Sequence, residues 1–321
     1  MPTRRVGQTA LRHDLSDVVT EWVMGRNYIG QKLYPVQTTP TFAGRYPVIP
    51  VEALLKLPAS IHRAPNGTYP RGAYEYETGS FTCEEYGYEE PVDEVEAGKV
   101  AAYWDAEVFA AQRAADIVMR MYEQRILTRL QALGVSRNVT NEWNDTANAT
   151  PISDVKLARR TVRNACGVDP DTLVISYRTF EALPLVAEIT DRIKYVHSGM
   201  EDTTFTQGLL ARLFNVRQVL VADMPYDSAD EGQTAEVTNL WSDEYALLVK
   251  VAQGSTLRQP CIGWTFLWTE DSPNILVTEE YEEPQTRSDI KRARQHVDEA
   301  DVFTACAYLL GNITDAAIAA P

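Results

Sequence analysis

The sequence predicts an α+β fold, with helices and strands mixed and no regular βαβ repeat. Three observations lead there. Residues 36–97 carry seven prolines and many aromatics but little helical periodicity. Residues 100–133 repeat apolar side chains at steps of three and four. Short helices and strands then alternate irregularly as far as residue 281.

In chain order, Asp14 is placed to cap a short amphipathic helix ending at Met24, with Leu15, Val18, Val19 and Trp22 on one face. Such a helix is too short to stand alone, so residues 1–35 read as an arm that must pack on something. Within 36–97, Ala73–Thr78 alternates strictly and Ser80–Val92 is strand-like. Roughly sixty residues without a core pattern exceed an ordinary loop, and predict a projecting β-hairpin that finds its apolar partner on another chain.

From Val100 through Trp104, Val108, Ala111, Ala115, Val118, Tyr122, Ile126 and Leu130 to Leu133, the spacing predicts one unbroken helix with Gly134 as its stop. It would span about 50 Å. Ser136–Thr150 is polar loop. A helix follows over Ser153–Cys166, capped by Ser153 and stopped by Gly167, then a strand over Asp171–Ser176 and a helix from Tyr177 limited by Pro184. Thr203–Phe214 reads as helix and Val216–Ala222 as strand. Beyond the polar turn Asp227–Thr234, Leu240–Val251 is strand-rich. Gly263–Thr269 and Asn274–Tyr281 read as a hairpin turned by Glu270–Asn274. The tail Arg287–Ala307 is charged and ends in apolar Tyr308–Leu310.

The 321 residues allow two or three compact units. Thirty Lys+Arg against 45 Asp+Glu give a formal charge of −15, and 45% hydrophobic content is too high for a disordered chain. No apolar run approaches the length of a membrane span. Arg4-Arg5 precedes no apolar run, so a secretory signal is not expected. The expectation is a soluble acidic protein that folds in the cytosol. Its charge repels phosphates on average, which disfavours wrapping nucleic acid.

A search for catalytic constellations returns almost nothing. GxGxxG, GxSxG and HExxH are absent, and Gly98-Lys99 is followed by Val100 where a phosphate loop needs Ser or Thr. His13, His62, His197 and His296 are isolated, and Cys83, Cys166, Cys261 and Cys306 form no CxxC pair. The cysteines read as small buried residues rather than a metal site or disulfide framework. In Asp227–Gly232, Ala229 stands where a calcium loop needs an oxygen ligand. Glu84-Glu85, Glu89-Glu90, Glu279-Glu280 and Glu282-Glu283 are adjacent pairs in strand-like segments, so the members of each pair face opposite ways. They suit a solvated edge or a salt-bridging rim better than acid/base catalysis. No catalytic residue, cofactor or metal ligand is assigned.

The order of these parts resembles the major capsid proteins of tailed bacteriophages, of the Hong Kong-phage type. Local resemblance runs through VAAYWDAEVFAAQRAADIVMRMYEQRILTRL after EEPVDEVEA, through PDTLVISYRTFEAL, ITDRIKYVHSG and LLARLFNVRQVLVADMPYD, and through the tail SDIKRARQHVDEADVFTACAYLLGNI. The resemblance implies an N-terminal arm (1–35), an extended loop (36–97), a peripheral domain with a spine helix (98–150 and 250–285) and an axial α/β domain (151–249 and 286–321). It implies an icosahedral shell subunit in the virion, assembled in the host cytoplasm. Its partners would be further copies in pentamers and hexamers, a portal protein, a separate scaffolding protein and a decoration protein, with double-stranded DNA enclosed and no membrane. Some family members carry a Lys–Asn crosslink in the extended loop. Lys56 is the only lysine between residues 33 and 98, and nothing near it marks such a site.

Trp22, Tyr28, Tyr46, Tyr69, Tyr74, Tyr76 and Tyr86 are the candidate inter-subunit anchors, because aromatics contribute most to interface energetics. About half of them are expected to pack within their own subunit. Deleting residues 1–30 is expected to block assembly while leaving the subunit folded. The alternatives are an encapsulin-like nanocompartment shell and an acidic cytosolic hydrolase using the Glu-rich strands.

Overall fold

The computed structural model describes residues 10–11, 27–48, 50, 55–63, 65–72, 76–100, 105–196, 206–230, 232–254, 257 and 259–314. The helix expected over 14–24, with Trp22, lies outside them, as does Tyr74.

Strand β1 (Ala10–Leu11) precedes the short helix α1 (Gly30–Leu33) and β2 (Val36–Thr39). Then come β3 (Ala43–Val48), β4 (Glu77–Thr82), β5 (Glu84–Asp93) and the helices α2 (Glu94–Val100) and α3 (Ala106–Ala132). The middle of the chain forms β6 (Arg137–Asn138), α4 (Pro151–Cys166), β7 (Thr172–Ser176), α5 (Tyr177–Ala182), α6 (Ala187–Val196), α7 (Gln207–Phe214) and β8 (Gln218–Ala222). A small hairpin, β9 (Pro225–Asp227) with β10 (Val237–Asn239), leads to β11 (Ala246–Val249). The chain closes with β12 (Gly263–Trp268), β13 (Val277–Glu283), β14 (Ser288–Asp301) and β15 (Ala307–Gly311).

Two sheets organise the body. One runs β1-β13-β14-β12-β2, with β5 also paired to β14. The other runs β6-β15-β11-β7-β8. Helix α3 lies against both. Its Ala111, Ala114, Ala115, Val118, Tyr122, Ile126 and Leu130 share one core with Ala293 of the first sheet and Val174, Leu247 and Leu309 of the second. The alanines let the helix approach closely, and Tyr122 donates or accepts a 2.6 Å hydrogen bond with Thr265 beneath it. A second core lies under α4, around Trp143, Val155, Val162 and Phe214.

Several expectations change. The long helix is not continuous to residue 100: Asp105 caps α3, its carboxylate accepting from the amides of Glu107 and Val108. Residues 101–104 lie outside the described set, and the 27-residue α3 spans about 40 Å. Gly134, at φ 76°, follows α3 as its stop. Helix α4 begins at Pro151 rather than at Ser153, because Glu188 from α6 accepts the Ile152 amide (2.9 Å) and the Ser153 hydroxyl (3.1 Å).

Strands β12 and β13 do not form a hairpin with each other. The tail strand β14 lies between them, pairing antiparallel with both. The whole tail from 286 therefore does not join the second sheet; only β15 does. Residues 27–35 are likewise no arm, since Ile29, Leu33 and Tyr34 are fully buried in the main core. Within 36–97, β2 and β5 belong to the first sheet, and only the β3–β4 hairpin and the segment it carries depart from it.

Candidate assembly surfaces

The charged tail strand shows what the acidic pairs do. Register places Arg292 between Glu89 of β5 and Glu279 of β13, and Lys291 between Glu90 and Glu280. Alternation sends the two rows to opposite faces of the sheet. On one face Arg292 bonds Glu89 at 2.6 Å and approaches Glu279 at 3.5 Å, while Arg294 bonds Glu279 at 2.7 Å and also pairs with Asp271. On the face toward α3, the fully buried Lys291 bonds Glu107 at 2.8 Å and Glu280 at 3.2 Å. Arg113 of α3 reaches Glu90, and Arg125 reaches Glu299, both at 2.8 Å. Glu89, Glu90, Glu279 and Glu280 hold cations rather than a substrate, and the strands that carry them form a salt-bridged sheet in place of the carboxylate pocket that a hydrolase would need. Among the described residues no group of three or more metal-ligating side chains occurs. No described helix is long and apolar enough to cross a membrane.

The hairpin is anchored by aromatics packed over glycines. Gly44 pairs with Phe81 and Gly79 with Tyr46 in the β3–β4 register. A side chain at Gly79 would fall 2.3 Å from the Tyr46 ring, and one at Gly44 would fall 2.8 Å from Phe81. Both rings in turn meet Phe266 of β12, Phe81 stacked at 4.3 Å and Tyr46 tilted at 5.3 Å. A rigid base thus carries a long segment between strands. In that segment Leu57 is 88% exposed and Ile61 81%. Leu55 lies against Gly167 at the end of α4.

The candidate anchors divide accordingly. Tyr28 is buried and donates its hydroxyl to Asp116, and Tyr46 is buried and donates to the Asp301 carbonyl at 3.2 Å. Both serve their own chain's core and are not open to a neighbour. Tyr86 is half-buried with the Arg125 guanidinium 3.8 Å over its ring. Burial, then the hydrogen bond to Glu84, pushes its hydroxyl pKa up. Tyr69 and Tyr76 are exposed in the segment between β3 and β4. Leu57 and Ile61 follow no helical or strand period, so no pattern in the sequence marks them. Their one signal is that they are apolar residues among Pro50, Pro58 and Pro65, where nothing local can bury them.

No protein-family model matches the chain. In sequence it is 24% identical over 277 residues to the major capsid protein of Burkholderia phage BcepMu, a match covering 81% of this chain and 85% of that one. In structure it is similar to a phage-related protein from Bordetella bronchiseptica RB50, with TM-score 0.66 and 17% identity over 97% of this chain and 99% of that one. It is also similar to a virus-like particle from Pyrococcus furiosus, with TM-score 0.54 and 13% identity over 93% and 96%. The fold is that of phage capsid proteins, as the order of elements predicts.

Proposed function

We propose that this chain, which has the tailed-phage capsid fold, is the structural, non-enzymatic subunit of an icosahedral viral shell. Copies assemble into that shell and reside in the virion. In the fuller reading, heterologous contacts close pentamers and hexamers that tile the shell around packaged double-stranded DNA. A portal protein, a separate scaffolding protein and a decoration protein complete the particle, and assembly takes place in the host cytoplasm. The arm, spine-helix and axial-domain roles carried by the resemblance belong to this reading, with the arm ending near residue 26.

The observation that carries the proposal is the projecting segment. Leu57, Ile61, Tyr69 and Tyr76 are set beyond a rigid aromatic base and stand 63–88% exposed in the single chain. Apolar side chains held away from their own core are suited to burial on a neighbouring subunit. Each contact is modest, but a shell repeats it at every subunit, so the contacts reinforce one another. A chain of formal charge −15 also suits a container whose DNA must slide rather than stick.

The test replaces Leu57, Ile61, Tyr69 and Tyr76 together by serine. Circular dichroism and the thermal midpoint should hardly move, because these side chains contribute little to their own core. Assembly measured by sedimentation should be lost. Unchanged assembly would overturn this role for the segment.

A second reading, a protein nanocompartment, is favoured by the likeness to the Pyrococcus virus-like particle. Contents separate the two: nuclease-protected DNA in particles made during infection supports the viral shell, and protein cargo supports the compartment.

A further inference from the structure

The projecting segment and one ledge of the body carry opposite charge. From residue 53 to residue 74 the chain has Lys56, Arg63 and Arg71 and no Asp or Glu. From residue 84 to residue 96 it has seven Asp or Glu and no Lys or Arg. In a chain of formal charge −15, the first is a basic island and the second a concentrated acidic run.

The acidic run is β5 with the start of α2, and it borders a shallow trough. Strand β5 pairs with β14, and its other edge pairs with no described strand. Helix α3 packs along β5 and is fixed to it at two points. Arg113 bonds Glu90 at 2.8 Å, and the Arg125 guanidinium lies 3.8 Å over the Tyr86 ring. Steps of four place Phe109, Ile117 and Met121 in the same row of α3 as those two arginines. Phe109 and Met121 are exposed, and Ile117 is half-buried. Alternation puts Tyr88, also exposed, on the face of β5 toward α3, between Tyr86 and Glu90. The trough is therefore apolar along its floor and acidic along its rim.

We propose that this trough between α3 and the edge of β5 receives the segment Leu57–Arg63 of a second copy of the chain. The inference takes its setting from the shell reading and names the surface on which the projecting segment is buried. Charge selects the occupant: Lys56 and Arg63 flank Leu57 and Ile61, and the rim offers Glu84 and Glu85, both exposed. Spacing agrees. In extended chain Leu57 and Ile61 point the same way about 13 Å apart, and Phe109 and Ile117 lie about 12 Å apart along the helix. No helix or strand forms over residues 56–63, so that backbone is available to run beside the β5 edge. Leu57 is 88% exposed and Ile61 81% in the single chain, so the segment does not fill its own trough.

The experiment uses the full chain carrying Leu57→Ser and Ile61→Ser, so that no segment of its own competes for the trough. The probe is a synthetic peptide of residues 55–72 with photoreactive benzoylphenylalanine in place of Ile61. After irradiation and digestion, mass spectrometry should place the links within residues 84–96 and 106–125. Their yield should fall about tenfold as salt rises from about 0.05 M to about 0.5 M, because the attraction is between exposed charges. Tyr88→Lys with Met121→Lys, both at exposed positions, should lower it as much by putting cations in the trough. If that double variant fails to fold by circular dichroism, the map and the salt dependence decide. No links, links confined elsewhere, or a yield indifferent to salt would overturn the proposal. Particle assembly keeps the two readings apart. Links in the trough of a chain whose wild type never forms shells contradict the shell reading alone, and shells with links elsewhere contradict this inference alone.

Discussion

Glu123 joins three parts of the chain through one carboxylate. Fully buried on α3, it accepts hydrogen bonds from the amides of Ile29 (3.1 Å) and Gly30 (2.7 Å) and from the Trp241 indole (3.0 Å). Gly30 has to be glycine at this approach, since a side chain there would sit 2.8 Å from the carboxylate and 2.9 Å from Ile126. Glu123→Ala leaves three buried donors without their acceptor, and should cost about 3 kcal/mol or more in urea unfolding. Burial raises the Glu123 pKa, and the three hydrogen bonds only partly oppose it. Folding therefore takes up a proton between the unfolded value, about 4.3, and the raised folded value. Wild type should gain stability relative to Glu123→Gln as pH falls through the folded value, and the gain should be complete below the unfolded one. Urea unfolding of both proteins from pH 7 to pH 4 checks the sign; a constant difference, or one moving the other way, contradicts it. Nothing in the sequence singles Glu123 out, because a lone glutamate within a helical run looks like part of a solvated face.

At the scale of elements, the tail strand and its neighbours carry the argument. Strand β14 sits among acidic partners because its basic residues complete their charge: Lys291 meets Glu280 on the strand and Glu107 on the helix. Lys291→Met should destabilise the fold by about 3–5 kcal/mol, because Glu280, 5% exposed at its side chain, loses the fully buried Lys291 ammonium 3.2 Å away. Adding Glu280→Met should recover much of that loss, since an apolar pair of similar size avoids desolvating both charges. Urea unfolding of the single and double variants checks this, and equal losses would contradict it. The same chemistry explains what the sequence concealed. SDIKRARQHVDEAD is too charged to read as a central strand, and without it Gly263–Thr269 and Asn274–Tyr281 appear to be a hairpin. Periodicity served well where burial is one-sided and apolar, as along α3, and local signals served at the Gly167 stop of α4 (φ 73°) and in the short apolar run of the strand Thr172–Ser176, which is buried on both faces. It failed where long-range ion pairs replace apolar contacts, and at Asp105, where a cap interrupts an otherwise helical pattern.

For the whole molecule, the fold class was legible from the order of parts, because that order survives where residue identity is low. Which aromatics face outward was not legible, because a tyrosine packed over a glycine and one exposed on a loop have the same local sequence character. The position of the arm changes a prediction. Removing residues 1–30 also removes Tyr28 and Ile29 from the core and the Gly30 amide from Glu123, so that truncation should unfold or strongly destabilise the subunit. Removing residues 1–26 takes only the two-residue edge strand β1 from the first sheet, and is the cleaner variant. Circular dichroism should show it folded, and sedimentation should show assembly blocked or misdirected. Normal assembly of the 1–26 deletion would remove the arm from the account. The most direct test of the central claim is size-exclusion chromatography of the expressed full chain followed by negative-stain electron microscopy, with and without a phage scaffolding protein. The account predicts closed shells, or rings of five or six subunits, in at least one condition; a 321-residue monomer that stays inert in both contradicts it.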